Sequence, residues 1–455
     1  MTSFSQLADT LNGRVFTPEH DGYDQARAVW NGTVDIAPAA IARCRNTEDV
    51  VQAVNYAVHR GLDASVRAGG HNVAGTALVE DGLVIDVSQM RGVRVDTDRG
   101  VAHVQGGALL ADVDQATYEH GLVTPSGFIS DTGIGGLALR GGMGHTMRKF
   151  GLTCDNIVGA ELVTSDGTVR RVTEEDTDLM WALRGGPLDL GVVTEFEFRL
   201  HPIEPKVRLI LSAYPAETGA EVNRFMADLM DRAPRELGLV SFYTTFGDEA
   251  ELPEAIRGRD CLAIYGLYSG SREEANEVIA PLINHSEALV DMGDWMDYPD
   301  AQSFLDGSYP DGMRYYWTSM FLDELTDDAL EIIDDYGHRR PTPKTTLDIW
   351  TMGGAIEDFS PDSSAFAGRY AKYMVAIEAN WHDSSDDETC MKWAREVCER
   401  LQPYASDKLY LNFPGTRQEK NRAIEQLEAS VLDRLHGVRD EVDPHGLFQR
   451  STTGS

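Results

Sequence analysis

The sequence predicts an α+β chain of two unlike parts, on three observations. A β-α-β pattern near the start places a helix over 46–60 between strands at 40–44 and 64–67. A run of short strands joined by turn signals then extends to about residue 200. Beyond about residue 205 glycine clusters thin out and aromatic residues become more frequent.

Each element has a local cause. Asn46 or Thr47 can cap the first helix, and Glu48 and Asp49 favour its N-terminal turn. Val50, Val51, Val54, Ala57 and Val58 form its apolar stripe, and Gly61 ends it. Residues 83–87 read as a buried strand. Strands at 93–95 and 101–104 flank Asp98–Gly100, and strands at 162–164 and 169–172 flank the hairpin signal Asp166-Gly167. Val192–Leu200 alternates as a strand, and Pro202 ends it. Helices are expected at 220–232, 271–284 and 387–401, and a strand at 370–381. From Lys408 we expect a short strand, one long helix over 417–435 and a terminal turn at Asp443-Pro444.

A chain of 455 residues has room for two or three domains at about 150 residues each. Its apolar fraction is 42%, with no run of about 18 apolar residues to span a membrane. The N-terminus shows neither a basic region before an apolar run nor a twin-arginine pair, so the expected location is the cytoplasm. Cys44, Cys154, Cys261, Cys390 and Cys398 are scattered and odd in number, which fits reduced thiols rather than disulfides or a metal site. Net charge is −34. Of the basic residues, only Lys149, Lys206, Lys344, Lys372, Lys392, Lys408 and Lys420 are lysine. Such a surface suits a salty, halophile-like cytoplasm and repels nucleic acid and anionic membranes. His382-Asp383 with Asp386, Asp387 and Glu388 lacks calcium-loop spacing and reads as an acidic helix-capping turn, so no metal is assigned.

Two glycine-rich loops carry the chemistry. The first runs Arg67-Ala68-Gly69-Gly70-His71-Asn72-Val73-Ala74-Gly75. Its backbone N–H groups can approach an anion such as a pyrophosphate. The loop follows the second strand of its β-α-β unit and leads into another strand, unlike the usual dinucleotide fingerprint. The second, Gly133-Ile134-Gly135-Gly136-Leu137-Ala138-Leu139-Arg140-Gly141-Gly142-Met143-Gly144, reads as a poor helix and a poor strand. Its Ile134, Leu137 and Leu139 look anchored in a core. Together the loops suit a phosphate-bearing cofactor.

These loops, with Thr132-Gly133-Ile134-Gly135-Gly136, Gly151-Leu152-Thr153-Cys154-Asp155-Asn156, Trp181-Ala182-Leu183-Arg184-Gly185-Gly186, Gly191-Val192-Val193-Thr194, Tyr410-Leu411-Asn412-Phe413 and Asp443-Pro444, resemble the berberine bridge enzyme-like FAD-linked oxidases of the vanillyl-alcohol oxidase superfamily. The resemblance covers nearly the whole chain and is densest over 36–202. It implies FAD as cofactor and a PCMH-type FAD-binding domain from residues 1–205 with 406–455, its core about 36–205. It also implies a substrate domain, 206–405, with an antiparallel sheet over the flavin and helices outside.

The resemblance further implies roles. His71 inherits the covalent bond to the flavin 8α-methyl, which raises the ring's potential. Ile129 replaces the second, cysteine attachment point, so one covalent link is expected and Cys154 is structural. Expected cofactor contacts are Arg67, Ala68, Gly69, Gly70, His71, Asn72, Gly75, Gly127, Thr132, Gly133, Gly135, Gly136, Gly141, Gly142, Gly144, Asn156, Val192, Val193, Tyr410 and Asn412. Catalytic candidates are Tyr410 and Asn412, with Glu378 and Tyr373 on the strand over the ring. Strand alternation lets at most one of the last two face the flavin. His145 is assigned packing rather than catalysis. Three departures stand out: Pro187 in Gly185-Gly186-Pro187-Leu188-Asp189-Leu190-Gly191, Thr318 in Tyr316-Trp317-Thr318-Ser319, and Phe413 where relatives carry a phenol.

The implied reaction moves a hydride from a small-molecule C–H of an alcohol, sugar or amine to FAD while a base takes a proton. Thr132, valine-sized at the position that admits O2 in relatives, favours an oxidase making H2O2. The alternatives are a dehydrogenase with another acceptor and a non-catalytic ligand-binding protein on the same fold. Substrate and oligomeric state are not written in these residues.

Overall fold

The structure, a computed structural model, describes residues 4–448. Three sheets organise it. The first takes the order Arg14–Phe16, Ala40–Arg43, Leu83–Asp86, Ala64–Arg67. Leu83–Asp86 slots, parallel, between the two strands of the β-α-β unit. The crossover helix Thr47–Arg60 starts where its cap predicts: the Asn46 side chain accepts from the Asp49 N–H, and Gly61 closes it in the left-handed conformation.

The second sheet is antiparallel, in the order Val93–Asp96, Val101–Gln105, Val192–Arg199, Ile157–Val163, Val169–Thr173. The third has eight strands between Val207 and Trp381. Its main path is Val290–Asp291, Val207–Pro215, Asp260–Tyr268, Leu237–Thr245, Thr346–Thr351, Tyr373–Trp381, Arg314–Leu322. Helices Gly219–Met230, Arg272–Ile283, Asp327–His338 and Asp387–Leu401 contribute to the core on one face. The other face looks onto the glycine loops across a cavity.

Three expectations need correction. The glycine-rich second loop contains a short helix, Ile134–Ala138, because Ile134 and Ala138 are fully buried and tertiary packing overrides the poor propensity of glycine. No strand forms at 408–412; the segment instead runs beside Arg314–Leu322, held by one bridge from Thr318 to Pro414 and by bonds such as Gly415 N–H to Trp317 O, 2.6 Å. The long helix over 417–435 is two helices, Arg417–Glu425 and Ala429–Val442. A capping box at Thr416 and Glu419 fixes the start of the first.

Beyond those helices the chain returns to the first sheet, where Leu447 and Phe448 join the core around Val50, Ala53 and Leu83. All five cysteines are free and four are buried. No helix among the described residues is long and apolar enough to cross a membrane.

Candidate active site

A cavity runs between the glycine loops and the large sheet. Its empty space is about 1820 Å3, counting the part open to solvent.

The two loops meet backbone to backbone. A Cβ on Gly69 would collide with the Gly133 backbone nitrogen and sit 2.8 Å from its Cα, so neither position tolerates a side chain. Gly70 turns the chain at φ +73°, the left-handed region that favours glycine. The N–H groups of Gly69, Gly70, His71 and Asn72 donate to no acceptor among the described residues, although the loop faces the cavity. Successive free N–H groups make an anion-binding concavity. Gly136 also faces the cavity, and a Cβ there would meet nothing within 4 Å. The surface fits a flat, phosphate-bearing group.

Lys420 strengthens the fit. It is 3% exposed and lines the cavity, and its ammonium has no hydrogen-bond or ion-pair partner among the described residues. Burial lowers its ammonium to about 8, with Asp189 opposing and Arg140 and Arg417 adding to the shift. Arg140 pairs with Asp189 and donates to Gly186 O at 2.8 Å. An uncompensated buried cation is costly, and an anion in the cavity would relieve it. Sequence reading assigned Lys420 no role; the rarity of lysine in this acidic chain was the available clue.

His71 stands in the cavity wall. Its Nε2 lies 2.8 Å from Asp131 Oδ1, and its ring stacks on Trp30 at 4.5 Å. Trp30 stacks in turn on Tyr315 at 3.6 Å and donates from Nε1 to Tyr309 O. Burial works to raise the Asp131 carboxyl, but the hydrogen bond and charge of His71 outweigh it and hold Asp131 below its ordinary value.

Over this region the large sheet presents one face. Trp317 lies directly opposite Glu378, Glu378 opposite Thr346, Asp348 opposite Phe242, and Val240 opposite both Trp350 and Tyr265. All but Thr346 line the cavity. Alternation decides between the two candidates on Tyr373–Trp381: Glu378 faces the cavity, whereas Tyr373 packs with Val375 and Ile377 on the helix side. Tyr309 donates to Glu378 Oε2 at 3.1 Å. Burial pushes Glu378 well above the usual carboxylate range, and the charge of nearby Asp348 adds to this. Burial likewise lifts Asp348 to about 7. Asp348 Oδ1 has no hydrogen-bond partner of normal length among the described residues. Sequence reading missed Asp348, Tyr309, Trp317 and Trp350 as wall residues, since only long-range strand pairing brings them together.

Tyr410 and Asn412 reach the cavity but are tied to the second loop. Tyr410 Oη accepts from Met143 N–H at 3.1 Å and from Asn412 Nδ2 at 3.0 Å, and Asn412 Nδ2 also lies 3.2 Å from Leu137 O. Burial pushes the Tyr410 phenol up to about 12, which disfavours a phenolate base.

Of the other expected cofactor contacts, Ala68, Gly69, Gly70, Asn72, Gly127, Thr132, Gly133, Gly135, Gly136 and Val193 line the cavity, as does Ile129. The remainder do not reach it. Gly75, Gly141, Gly142 and Gly144 pack behind the wall against Val34, Phe366, Thr153 and Ser126. Arg67 donates backward to Ala26 O. Asn156 bonds Phe150 O, Leu152 O and His201. Val192 points into the core beneath the first sheet, one residue out of phase with Val193. His145 is fully buried, accepts or donates 3.2 Å from Tyr265 Oη, and burial lowers it to about 3, so it packs as a neutral ring.

Comparison with known proteins bears on the same surface. Residues 38–173 match the model of an FAD binding domain. An FAD-linked oxidoreductase of Dictyostelium discoideum is 30% identical over 98% of this chain and 96% of its own. The structure of 6-hydroxy-D-nicotine oxidase from Arthrobacter nicotinovorans superposes with a TM-score of 0.84 at 26% identity, covering 96% of each chain. Glucooligosaccharide oxidase from Acremonium strictum, described as carrying a 6-S-cysteinyl, 8α-N1-histidyl FAD, shares the fold with a TM-score of 0.84 at 22% identity, covering 98% of this chain and 97% of its own.

Proposed function

Since this chain belongs to the FAD-linked oxidoreductases, with FAD as cofactor, we propose that it is an oxidase holding FAD covalently through His71 and oxidising a small-molecule C–H of an alcohol, sugar or amine. The observation that carries the reading is the His71 ring in the cavity wall, hydrogen-bonded through Nε2 to Asp131. When Nε2 carries the proton shared with Asp131, the free lone pair sits on Nδ1, the nitrogen available for a bond. Ile129 offers no second attachment point.

Bound FAD supplies the hydride acceptor. The free N–H groups of residues 69–72 and the Lys420 ammonium would hold its phosphates. Glu378 is the base we assign to the substrate proton. Burial and the charge of Asp348 raise Glu378, which makes its carboxylate a stronger proton acceptor. Tyr309 orients Glu378 through its hydroxyl. Tyr410 and Asn412 act as positioning residues that pin the second loop. Thr132 in the wall supports access for O2 over another acceptor. The acidic, lysine-poor surface supports a cytoplasmic, salt-adapted protein.

The test is a denaturing gel viewed under ultraviolet light after acid soaking, with His71→Ala alongside. A fluorescent wild-type band missing from the variant supports covalent FAD at His71. A dark band from a yellow protein removes the covalent bond, and a colourless protein removes the flavoenzyme. Photoreduced protein mixed with air should reoxidise quickly and release peroxide; slow reoxidation points to a dehydrogenase.

A further inference from the structure

The acidic end of the cavity is chemically unlike the end near Lys420. Two carboxyl side chains, Glu378 and Asp348, share one sheet face as diagonal neighbours on paired strands, and both are at most 5% exposed. Neither forms an ion pair among the described residues. Arg340, which acts on Asp348 from a distance, is committed to Asp260 and Thr245 at 3.0 Å each. Aromatic rings enclose the pair. Trp317 meets Tyr309 at 5.4 Å and Phe413 at 4.9 Å, and Trp350 meets Phe413 at 5.8 Å and Phe128 at 4.7 Å. Each contact is edge-on.

We infer that this end binds its substrate as an amine, with nitrogen held by Glu378 and Asp348 against the indoles of Trp317 and Trp350. The inference rests on the flavoenzyme reading above and narrows its substrate class. An ammonium supplies a buried carboxylate here with the counter-charge that a neutral polyol cannot, and it is attracted by indole faces.

The reaction favours the same class. An ammonium first gives one proton to Glu378. The neutral amine then loses its α-hydrogen with the C–H electron pair, as hydride, to the flavin. The nitrogen lone pair forms the new C=N bond, leaving an iminium cation. Positive charge therefore develops on the substrate beside Asp348, whose carboxylate keeps its charge after Glu378 has taken the proton, and that fixed opposite charge stabilises the transition state. Oxidation of an alcohol to a carbonyl leaves no such cation.

The probes are cumylamine and cumyl alcohol, equal in shape and without an α-hydrogen, so neither can be turned over. Each is titrated calorimetrically into the as-purified protein, wild type and Glu378→Gln/Asp348→Asn. We expect the amine to bind at least about tenfold more tightly than the alcohol, and the preference to vanish in the double variant. Equal binding, preference for the alcohol, no binding of either at millimolar concentration, or a preference surviving the double variant overturns the inference. If the double variant does not fold, each single variant must reduce the preference at least roughly threefold, or the inference falls. Visible absorbance of the same samples separates the two claims: a yellow protein without amine preference refutes the inference alone, and a colourless protein refutes both.

Discussion

Replacing Lys420 with methionine should move stability and cofactor affinity in opposite directions. The ammonium drops from its ordinary value of 10.5 to about 8. At about 1.4 kcal/mol per unit of pKa, that is roughly 3 kcal/mol acting against the charged form in the fold. Because the folded value lies below the unfolded one, the penalty is complete below pH 8, fades between pH 8 and 10.5, and vanishes above. Methionine keeps most of the aliphatic bulk and removes the charge, so the flavin-free protein should gain up to about 3 kcal/mol at pH 7 and nothing at pH 11. With FAD bound, the same ammonium meets phosphate, a charge-assisted contact worth about 1.5–3 kcal/mol. Its loss should weaken FAD binding roughly ten- to hundredfold. The assay uses a His71→Ala background, in which FAD can be removed and titrated back, with urea unfolding of the flavin-free forms. Unchanged FAD affinity, or a flavin-free variant less stable than its parent, would refute the reasoning.

Other substitutions test the remaining geometry. Glu378→Gln should lower kcat/KM by about 10²–10⁴ while flavin content stays constant, and Tyr373→Phe, on the opposite face of the same strand, should leave turnover close to wild type. Gly69→Ala drives a methyl group into the Gly133 backbone and should destabilise the protein by roughly 1–3 kcal/mol. Gly136→Ala, which meets nothing in the protein, should keep or raise the stability of the flavin-free form yet reduce flavin incorporation. Arg369 donates to Asp155 at 2.6 and 2.8 Å with both side chains buried. Arg369→Met leaves that carboxylate unpaired and should cost about 3–5 kcal/mol in chemical denaturation; a loss under about 1 kcal/mol would contradict the structure.

Local chemistry was legible and long-range pairing was not. Asn46, Gly61 and Asp166-Gly167 announce their cap, stop and hairpin because the causes lie within a few residues. The helix Asp387–Leu401 starts and ends at the residues expected from the sequence. By contrast, residues 408–412 run beside a strand without joining it, in a segment held by distant partners at Phe321 and Trp317, and Gln426–Glu428 interrupt an otherwise helical pattern. The same limit governs the site. His71 and the glycine loops could be read from motifs, and alternation reduced Glu378 and Tyr373 to one choice. Asp348 and Tyr309 become neighbours of Glu378 only once strands and loops tens of residues apart are assembled.

The route of the chain also sets an order of events during synthesis. All strands of the eight-stranded sheet lie between Val207 and Trp381, so this segment can collapse while later residues are still inside the ribosome. The groove beneath it gains Tyr410, Asn412 and Lys420 only afterwards, and Leu447 and Phe448 then seal the first core. A nascent chain halted near residue 405 would thus display a finished roof over a half-built floor. Flavin capture belongs to the last moments of maturation, and growth in riboflavin-starved cells should accumulate a protease-sensitive form nicked in the 406–448 return before any cut appears in the sheet.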